Sequence, residues 1–562
     1  MASVEERIQS WLDSPYDPEM KAEIRRLKEV DPQALNDAFY KDLSFGTGGM
    51  RGLMGIGTNR LNIYTIRKAT QGLANVINNL PGDHEYSVFI GYDVRNHSRE
   101  FAEEAAKVLS GNGIKALLSK ETCPTPLISF ACRHFHCAAA IMITASHNPP
   151  EYNGYKVYWE GGCQVVPPHD KELMEEVEKI KDPTQVKMGK DFTEIGSELD
   201  EAYLEELKKI QLLPDLSKVP LKIVYTNLHG TGIRLVPKGL KTWGYTQVSL
   251  VEKQSNLDGN FTNAGSPNPE EDKALVMGQE QMQKEGADIL IATDPDADRI
   301  AVATPSGRLT GNEIACLCLD HICKTLNNKK EFPENGAAIK SIVTTELFRK
   351  IAESYHIKCI DVLTGFKYIG ELIEIWEKTL DAYQYLFGAE ESYGCLYGTF
   401  VRDKDSISAS CLVAETAAQA KKQNLTLADR LYEIFRKFGI HKASLKSLKF
   451  SDSKEGMDAM TSLMKRLREN PPKKIGSLEV TSIEDYLKGY ENLPPSNVLR
   501  YWLDDESKLV IRPSGTEAKI KIYAEVTQIP GKDLKADIAA CKSRVEKLIE
   551  LFENEIGVNH RS

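Results

Sequence analysis

Short runs of continuous apolar residues recur along most of this chain, each followed by a stretch with helical spacing, and this alternation limits the possible architectures sharply. The runs lie at residues 88–91, 138–144, 221–226, 287–293, 337–343 and 356–362. The first leads into DVRNHSREFAEEAAKVLSGNG, a helix-like segment closed by glycine. A strand with no polar alternation needs cover on both faces, so the pattern predicts parallel sheets flanked by helices. A chain of 562 residues is too long for one hydrophobic core, and at about 150 residues per domain it divides into about four. The repeats predict three successive α/β domains over residues 1–208, 209–310 and 311–442. Residues 443–562 read as an α+β domain. There LVIRPSGTEAKIKIYAEV alternates with a period near two about a turn, as an antiparallel hairpin does, and the helix-like CKSRVEKLIELFENE follows. The charged stretch 445–454 reads as a linker.

Composition narrows the function classes. A net charge of −10 argues against a nucleic-acid-binding or anionic-membrane surface, so an anionic substrate would need basic residues gathered locally. No run approaches the ~18–20 apolar residues of a membrane span. The opening MASVEERIQSWLDSPYD lacks the apolar core of a signal peptide, and a cytoplasmic protein is expected. The 11 cysteines include no CxxC pair, which speaks against a zinc cage and for buried, reduced thiols.

Four loops carry chemistry, one in each predicted domain. TASHNPPEYNGYK (144–156) follows an apolar run, the position at which α/β sheets present reactive groups. Asn148-Pro149 forces a turn that displays Ser146 and His147, although a local hydrogen-bonding turn uses the same residues. DPDADR (294–299) sets three aspartates at alternate positions. Crowded carboxylates repel unless a cation lies among them, and hard oxygen donors suit Mg²⁺. An EF-hand is a poor match, because Arg299 and Pro305 stand where it requires glycine and glutamate. GAEESYG (388–394) offers two carboxylates and a hydroxyl suited to sugar hydroxyls, and equally suited to a solvated turn. RPSGTE (512–517) offers an arginine fork and hydroxyl and N–H donors for phosphate, or an ordinary hairpin turn. The glycine-rich FGTGGMRG (45–52) ends near Arg51 and lacks the Lys-Ser/Thr of a P-loop. NLHGTG (227–232) is a similar turn without an evident role.

Together and in this order, GTGGMRG, TASHNP, DPDADR, EESYG and RPSGTE resemble the α-D-phosphohexomutase superfamily over nearly the whole chain. The resemblance implies three related α/β domains with mixed sheets and a C-terminal α+β domain around a central cleft. It implies that Ser146 carries a transferable phosphate. It further implies that Asp294, Asp296 and Asp298, with an oxygen of phosphorylated Ser146, hold one Mg²⁺. Arg51, His147, Lys156 and Arg299 then surround the reacting phosphate, His147 or Lys156 acting in proton transfer. Glu390 and Ser392 match sugar-hydroxyl readers, and Thr364, Gly365 and Lys367 an interdomain ligand contact. Arg512, Ser514, Gly515 and Thr516 match the site of the non-reacting phosphate.

DPDAD in place of DGDGD, EESYG without a following histidine, and a compact NGYK resemble the branch of bacterial phosphoglucomutases and phosphopentomutases. The expected reaction interconverts glucose 1-phosphate and glucose 6-phosphate through glucose 1,6-bisphosphate, with ribose, deoxyribose or mannose phosphates as alternative substrates. The expected partners are small sugar phosphates, and the expected state is a monomer or weak dimer. A phosphatase reading of DPDAD leaves Ser146, Glu390 and Arg512 unused. A sugar-phosphate sensor without turnover is at odds with an intact nucleophile and carboxylate triad.

Overall fold

In the computed structural model the described residues are 3–46, 49–82, 85–451, 454–514 and 519–557. The chain forms two compact units. One comprises Met1–Gly311, Phe366–Gly388 and Ser392–Gln423, and the other Asn312–Gly365, Ala389–Glu391 and Asn424–Ser562.

The first unit contains a six-stranded sheet in the order Gly49–Leu53, Tyr152–Trp159, Ala139–Ile143, Ser87–Tyr92, Lys115–Ser119, Thr193–Ile195. Ser87–Tyr92 is parallel to Ala139–Ile143 and to Lys115–Ser119, as the continuous apolar runs predict. Two antiparallel strands close one edge, with Ile143 opposite Tyr155 and Arg51 opposite Gly154. Helices Ile63–Asn78 and Ser98–Gly111 supply Leu73, Ile77, Ala105 and Leu109 to the core beneath Ile90 and Ile141. Asn62 starts the first of these by accepting the N–H groups of Tyr64 and Thr65, donors a helix cannot satisfy internally. Three N-terminal helices, Val4–Asp13, Pro18–Val30 and Pro32–Phe39, share a separate apolar cluster around Trp11, Tyr16 and Phe39.

A five-stranded sheet follows in the order Gly307–Leu309, Ile300–Thr304, Ile289–Thr293, Ile223–Thr226, Val248–Leu250. Ile223–Thr226 runs parallel to Ile289–Thr293, which Ile300–Thr304 joins antiparallel. Of the segments singled out above, the turn that opens 144–156 and the loop 294–299 sit where the chain doubles back on a parallel strand, while Tyr152–Lys156 already belong to the returning strand.

In the second unit Gly336–Ser341 and Lys358–Val362 pair in parallel. Its six-stranded antiparallel sheet runs Ile440–Lys449, Lys519–Gln528, Lys508–Pro513, Leu499–Leu503, Leu478–Asp485, Lys474–Ile475. The expected hairpin is present, and helix Leu534–Glu555 packs on three of these strands, Ile440–Lys449, Lys519–Gln528 and Lys474–Ile475. The linker expected at 445–454 is corrected: Leu445–Lys449 lie inside a ten-residue strand paired from Ile440↔Gln528 to Lys449↔Lys519. The exposed alternate positions of that strand are Ala443, Leu445, Ser447 and Lys449, while Lys446 on the other face pairs with Glu553 at 2.7 Å.

None of the eleven cysteines forms a disulfide and all are buried. Among the described residues no helix is long and apolar enough to cross a membrane.

Candidate active site

Ser146 follows the Ala139–Ile143 strand and is buried, with φ = 51°. The left-handed region costs a residue bearing a Cβ about 1–3 kcal/mol, so the neighbours must hold it there. Thr144 Oγ1 accepts the Ser146 N–H at 2.8 Å. Arg95 does more. Its Nη2 donates to the carbonyls of Ser146 (2.6 Å) and Asn148 (2.5 Å), and its Nη1 to those of Pro149 (2.7 Å) and Tyr152 (2.9 Å). Gly154 is required by close approach, since a Cβ there would lie 2.4 Å from the Thr144 carbonyl oxygen. On the neighbouring strand Tyr155 and Val157 face the core, so the period of two turns Lys156 to the opposite face.

The Ser146 hydroxyl donates to Asp294 Oδ2 at 2.9 Å and lies 3.2 Å from His147 Nδ1. Asp294, Asp296 and Asp298 are all buried, and one oxygen of each lies within 4.8 Å of the others. Asp294 is engaged through both oxygens, and Asp296 and Asp298 through Oδ2. Asp294 Oδ1 accepts the N–H groups of Asp298 (3.1 Å) and Arg299 (3.0 Å). Asp296 Oδ2 accepts Thr125 Oγ1 (2.9 Å) and Lys156 Nζ (2.8 Å). Asp298 Oδ2 lies 3.1 Å from Lys404 Nζ and 3.7 Å from Lys156 Nζ. Asp296 Oδ1 and Asp298 Oδ1 are buried without a hydrogen-bond partner. A buried, unpartnered carboxylate oxygen is costly, and hard oxygens this close fit a small divalent cation with bonds of ~2.1 Å.

The electrostatics agree with that fit. Burial, then the other two carboxylates, push Asp294 well above the usual carboxylate range. Burial pushes Asp296 the same way, but the Lys156 ammonium, with hydrogen bonds from Asp294 and Thr125, more than offsets it and holds that carboxyl low. Burial, with Arg299 and Arg51 adding to it, lowers His147 well below its ordinary value, which leaves the ring neutral at neutral pH. Arg51 donates to Asn148 Oδ1 at 2.8 Å, and the Arg299 guanidinium pairs with Glu270 and lies 3.7 Å from Asp298.

Residues 42–184, 201–307 and 310–438 match, in turn, the phosphoglucomutase/phosphomannomutase alpha/beta/alpha domains I, II and III. A phosphoglucomutase of Staphylococcus aureus (strain bovine RF122 / ET3-1) is 36% identical over 540 residues, covering 92% of this chain and 95% of that protein. The chain belongs to the phosphoglucomutase/phosphomannomutase family. A phosphoglucomutase of Staphylococcus haemolyticus (strain JCSC1435) is also 36% identical, over 89% of this chain and 93% of its own. Among solved structures, the open form of Paramecium pp63/parafusin has the same fold, with TM-score 0.69 and 19% identity over 91% of this chain and 95% of its own. So does a phosphoglucomutase/phosphomannomutase family protein of Burkholderia thailandensis, with TM-score 0.66 and 19% identity over 90% of this chain and 97% of its own. The chain is a phosphosugar mutase by family, with three successive α/β domains of mixed sheets and a C-terminal domain built on an antiparallel sheet.

Within this family member, the first unit brings Arg51, Ser146, His147, Lys156, Asp294, Asp296, Asp298 and Arg299 together. Lys367, at the start of helix Lys367–Lys378, and Ser392 also belong to this unit, both half-buried. Thr364, Gly365, Glu390, Arg512 and Ser514 belong to the second. There the Gly365 N–H donates to Glu390 Oε1 at 2.7 Å. Tyr523, opposite Val510, feels the charges of Glu391, Arg512 and Glu390, so these groups share a neighbourhood. Ser514 donates its N–H to the Lys519 carbonyl at 2.8 Å, while Gly515 and Thr516 lie outside the described residues.

Three residues that contact the Ser146 loop or the aspartates, Arg95, Lys404 and Thr125, carry no motif in the sequence. Arg95 lies just past the Ser87–Tyr92 strand, at its C-terminal end, a position that could have marked it. Lys404 sits in RDKD, a charge run that reads as a solvated turn, yet Arg402, Asp403 and Asp405 are buried. Asp403 accepts Lys404 Nζ at 2.9 Å through Oδ1 and the buried Tyr158 hydroxyl at 2.7 Å through Oδ2, which fixes Lys404 beside Asp298. Thr125 carried no signal beyond a Pro-flanked helix start.

Proposed function

We propose that this chain interconverts glucose 1-phosphate and glucose 6-phosphate, with Ser146 as the phosphoryl carrier and glucose 1,6-bisphosphate as the intermediate. The observation that carries this reading is the Ser146 hydroxyl donating to Asp294 inside a buried carboxylate triad with two unpartnered oxygens. Asp294, Asp296 and Asp298 would hold one Mg²⁺, together with an oxygen of phosphorylated Ser146. That ion would offset charge on the phosphoryl oxygens, as phosphoryl transfer requires.

Phosphoryl transfer needs positioning and charge neutralisation more than covalent participation. Arg95 and Thr144 hold Ser146 in its left-handed turn, so its Oγ keeps one direction. Lys156, Lys404, Arg51 and Arg299 set cations around the loops that bear Ser146 and the triad. In the first half-reaction the Ser146 Oγ–P bond breaks and a P–O bond to the sugar hydroxyl forms. The hydroxyl proton passes to a base, the role we give the neutral His147 ring, which in turn protonates the departing Ser146 Oγ, 3.2 Å from its Nδ1, while the Lys156 ammonium stays paired with Asp296. The bisphosphate then returns its other phosphoryl group to Ser146 and the proton goes back, so atoms and charge balance over the cycle. On the family resemblance we assign Thr364, Gly365, Lys367, Glu390 and Ser392 to the sugar, and Arg512, Ser514, Gly515 and Thr516 to the second phosphate. In this reading the partners are small sugar phosphates, glucose 1,6-bisphosphate doubles as activator, and the enzyme is cytoplasmic.

The test is a coupled assay on glucose, ribose and mannose 1-phosphates, each primed with its bisphosphate, with released inorganic phosphate measured in parallel. Glucose 1-phosphate is expected to give the highest kcat/KM with negligible phosphate release. A higher kcat/KM for ribose 1-phosphate would replace the substrate assignment, and stoichiometric phosphate release would replace the mutase by a phosphatase.

A further inference from the structure

The turn NLHGTG had no evident role in the sequence, and the structure lays it against the aspartate loop. The Thr231 N–H donates to the Pro295 carbonyl at 2.8 Å, and its hydroxyl donates to the same oxygen at 3.0 Å. Gly230 allows the contact, because a Cβ there would lie 2.4 Å from Pro295 Cα. The next two residues of the loop are held in the same way from two other directions. Thr125 donates its N–H to the Asp296 carbonyl at 2.8 Å and its hydroxyl to Asp296 Oδ2 at 2.9 Å. Ser406 donates its hydroxyl to the Ala297 carbonyl at 2.5 Å, with its N–H 3.4 Å from the same oxygen.

All three are buried, and each is the first residue of a helical segment: Thr125–His134, Thr231–Arg234 and Ser406–Lys422. The first N–H groups of a helix have no partner within it, so each can serve the loop while its hydroxyl adds a second bond. Ala297 has φ = 54°, an uncommon conformation for a residue with a Cβ, and the Ser406 pair holds its carbonyl there.

We infer, on the reading of the triad as a cation site, that Thr125, Thr231 and Ser406 are positioning residues that clamp three consecutive residues of the aspartate loop. The clamp turns the carbonyls of Pro295, Asp296 and Ala297 away from the site and holds three mutually repelling carboxylates in one arrangement before any cation arrives. Mg²⁺ demands near-octahedral oxygen ligation, so a loop free to relax loses affinity more than it loses fold. Partners one layer beyond metal ligands typically alter affinity 10–100-fold.

The test is calorimetric titration of Mg²⁺ into wild-type, Thr231→Val, Thr231→Ser and Ser406→Ala enzyme, without substrate, with Mn²⁺ titration followed by electron paramagnetic resonance as a second probe. We expect Kd to rise about 10–100-fold in Thr231→Val and Ser406→Ala. Thr231→Ser should stay within about threefold of wild type, and kcat should recover at saturating Mg²⁺. The metal-free thermal midpoint should shift by only a few degrees. Should Thr231→Val fail to fold, Ser406→Ala, which removes a single oxygen atom, carries the same test. Folded variants that bind Mg²⁺ as tightly as wild type would overturn the clamp and leave the cation site standing. A loss of affinity that serine at 231 does not rescue would also overturn it. Wild-type enzyme that binds neither ion would overturn the cation reading itself.

Discussion

Arg95→Lys isolates the contribution of one buried guanidinium to the nucleophile's conformation. Arg95 is 3% exposed, donates to four loop carbonyls between Ser146 and Tyr152, and lies 3.2 Å from Asp93 through Nε. Lysine keeps the charge but gathers its donors on one nitrogen in place of a planar fork, and two of the four bonds are expected to survive. Hydrogen bonds to charged groups contribute about 1.5–3 kcal/mol each, so losing two removes about 3–6 kcal/mol, less what the half-exposed carbonyls of the loop recover from water. Even about 3 kcal/mol matches or exceeds the ~1–3 kcal/mol cost of the left-handed Ser146 conformation, so the loop is expected to relax. A displacement near 1 Å costs a positioned reaction about 100-fold. The expected result is a kcat for glucose 1-phosphate about 100-fold below wild type, with KM and Mg²⁺ Kd each within about threefold. The triad keeps its own hydrogen bonds to Thr125, Lys156 and backbone N–H groups, which is why Mg²⁺ affinity should hold. The coupled assay gives kcat, and intact-mass measurement of phosphate incorporation gives the transfer step separately. A folded Arg95→Lys enzyme with wild-type kcat would show that the guanidinium does not set the serine's geometry.

Ser146→Ala should take up no phosphate from glucose 1,6-bisphosphate by intact mass and lose turnover by at least about 10⁴-fold; mass gain at another residue would relocate the carrier. In the second unit Lys340 is fully buried between Glu346 (2.9 Å) and Asp361 (3.1 Å), and burial, which lowers an ammonium, is outweighed there by these two carboxylates. Lys340→Met should cost about 3 kcal/mol, the low end for a broken buried pair, because Lys508, Arg349 and Arg500 still serve the two acids; an unchanged urea midpoint would contradict this. Glu391 is pushed up to about 7 by burial and then by Glu390, above its unfolded value of about 4.3. The stability it contributes is therefore whole below about pH 4 and drains away as pH rises through 7. Glu391→Gln should flatten the fall in urea midpoint between pH 5 and 8, and an unaltered slope would exclude Glu391 as its source.

Much of this protein was legible in its residues because the relevant signals are local. Continuous apolar runs mark strands covered on both faces, and the runs at 88–91, 138–144, 221–226 and 287–293 became sheet strands within a few residues of their expected ends. Three aspartates in six positions after such a run cannot lie together cheaply without a cation, so the triad could be named before its geometry was known. The stretch 445–454 misled because a strand with one solvated face has a polar composition like a linker's, and only the long-range pairing of Leu445–Lys449 with residues 519–523 distinguishes the two. Local composition established which loops bear the chemistry and in what order. Tertiary structure alone decided that Arg95 bridges four carbonyls up to 57 residues away, that Lys404 reaches Asp298, and that Thr125, Thr231 and Ser406 meet on one loop. Those partners are remote in sequence, and a hydrogen bond depends on where two groups arrive in space rather than on what stands beside either of them in the chain.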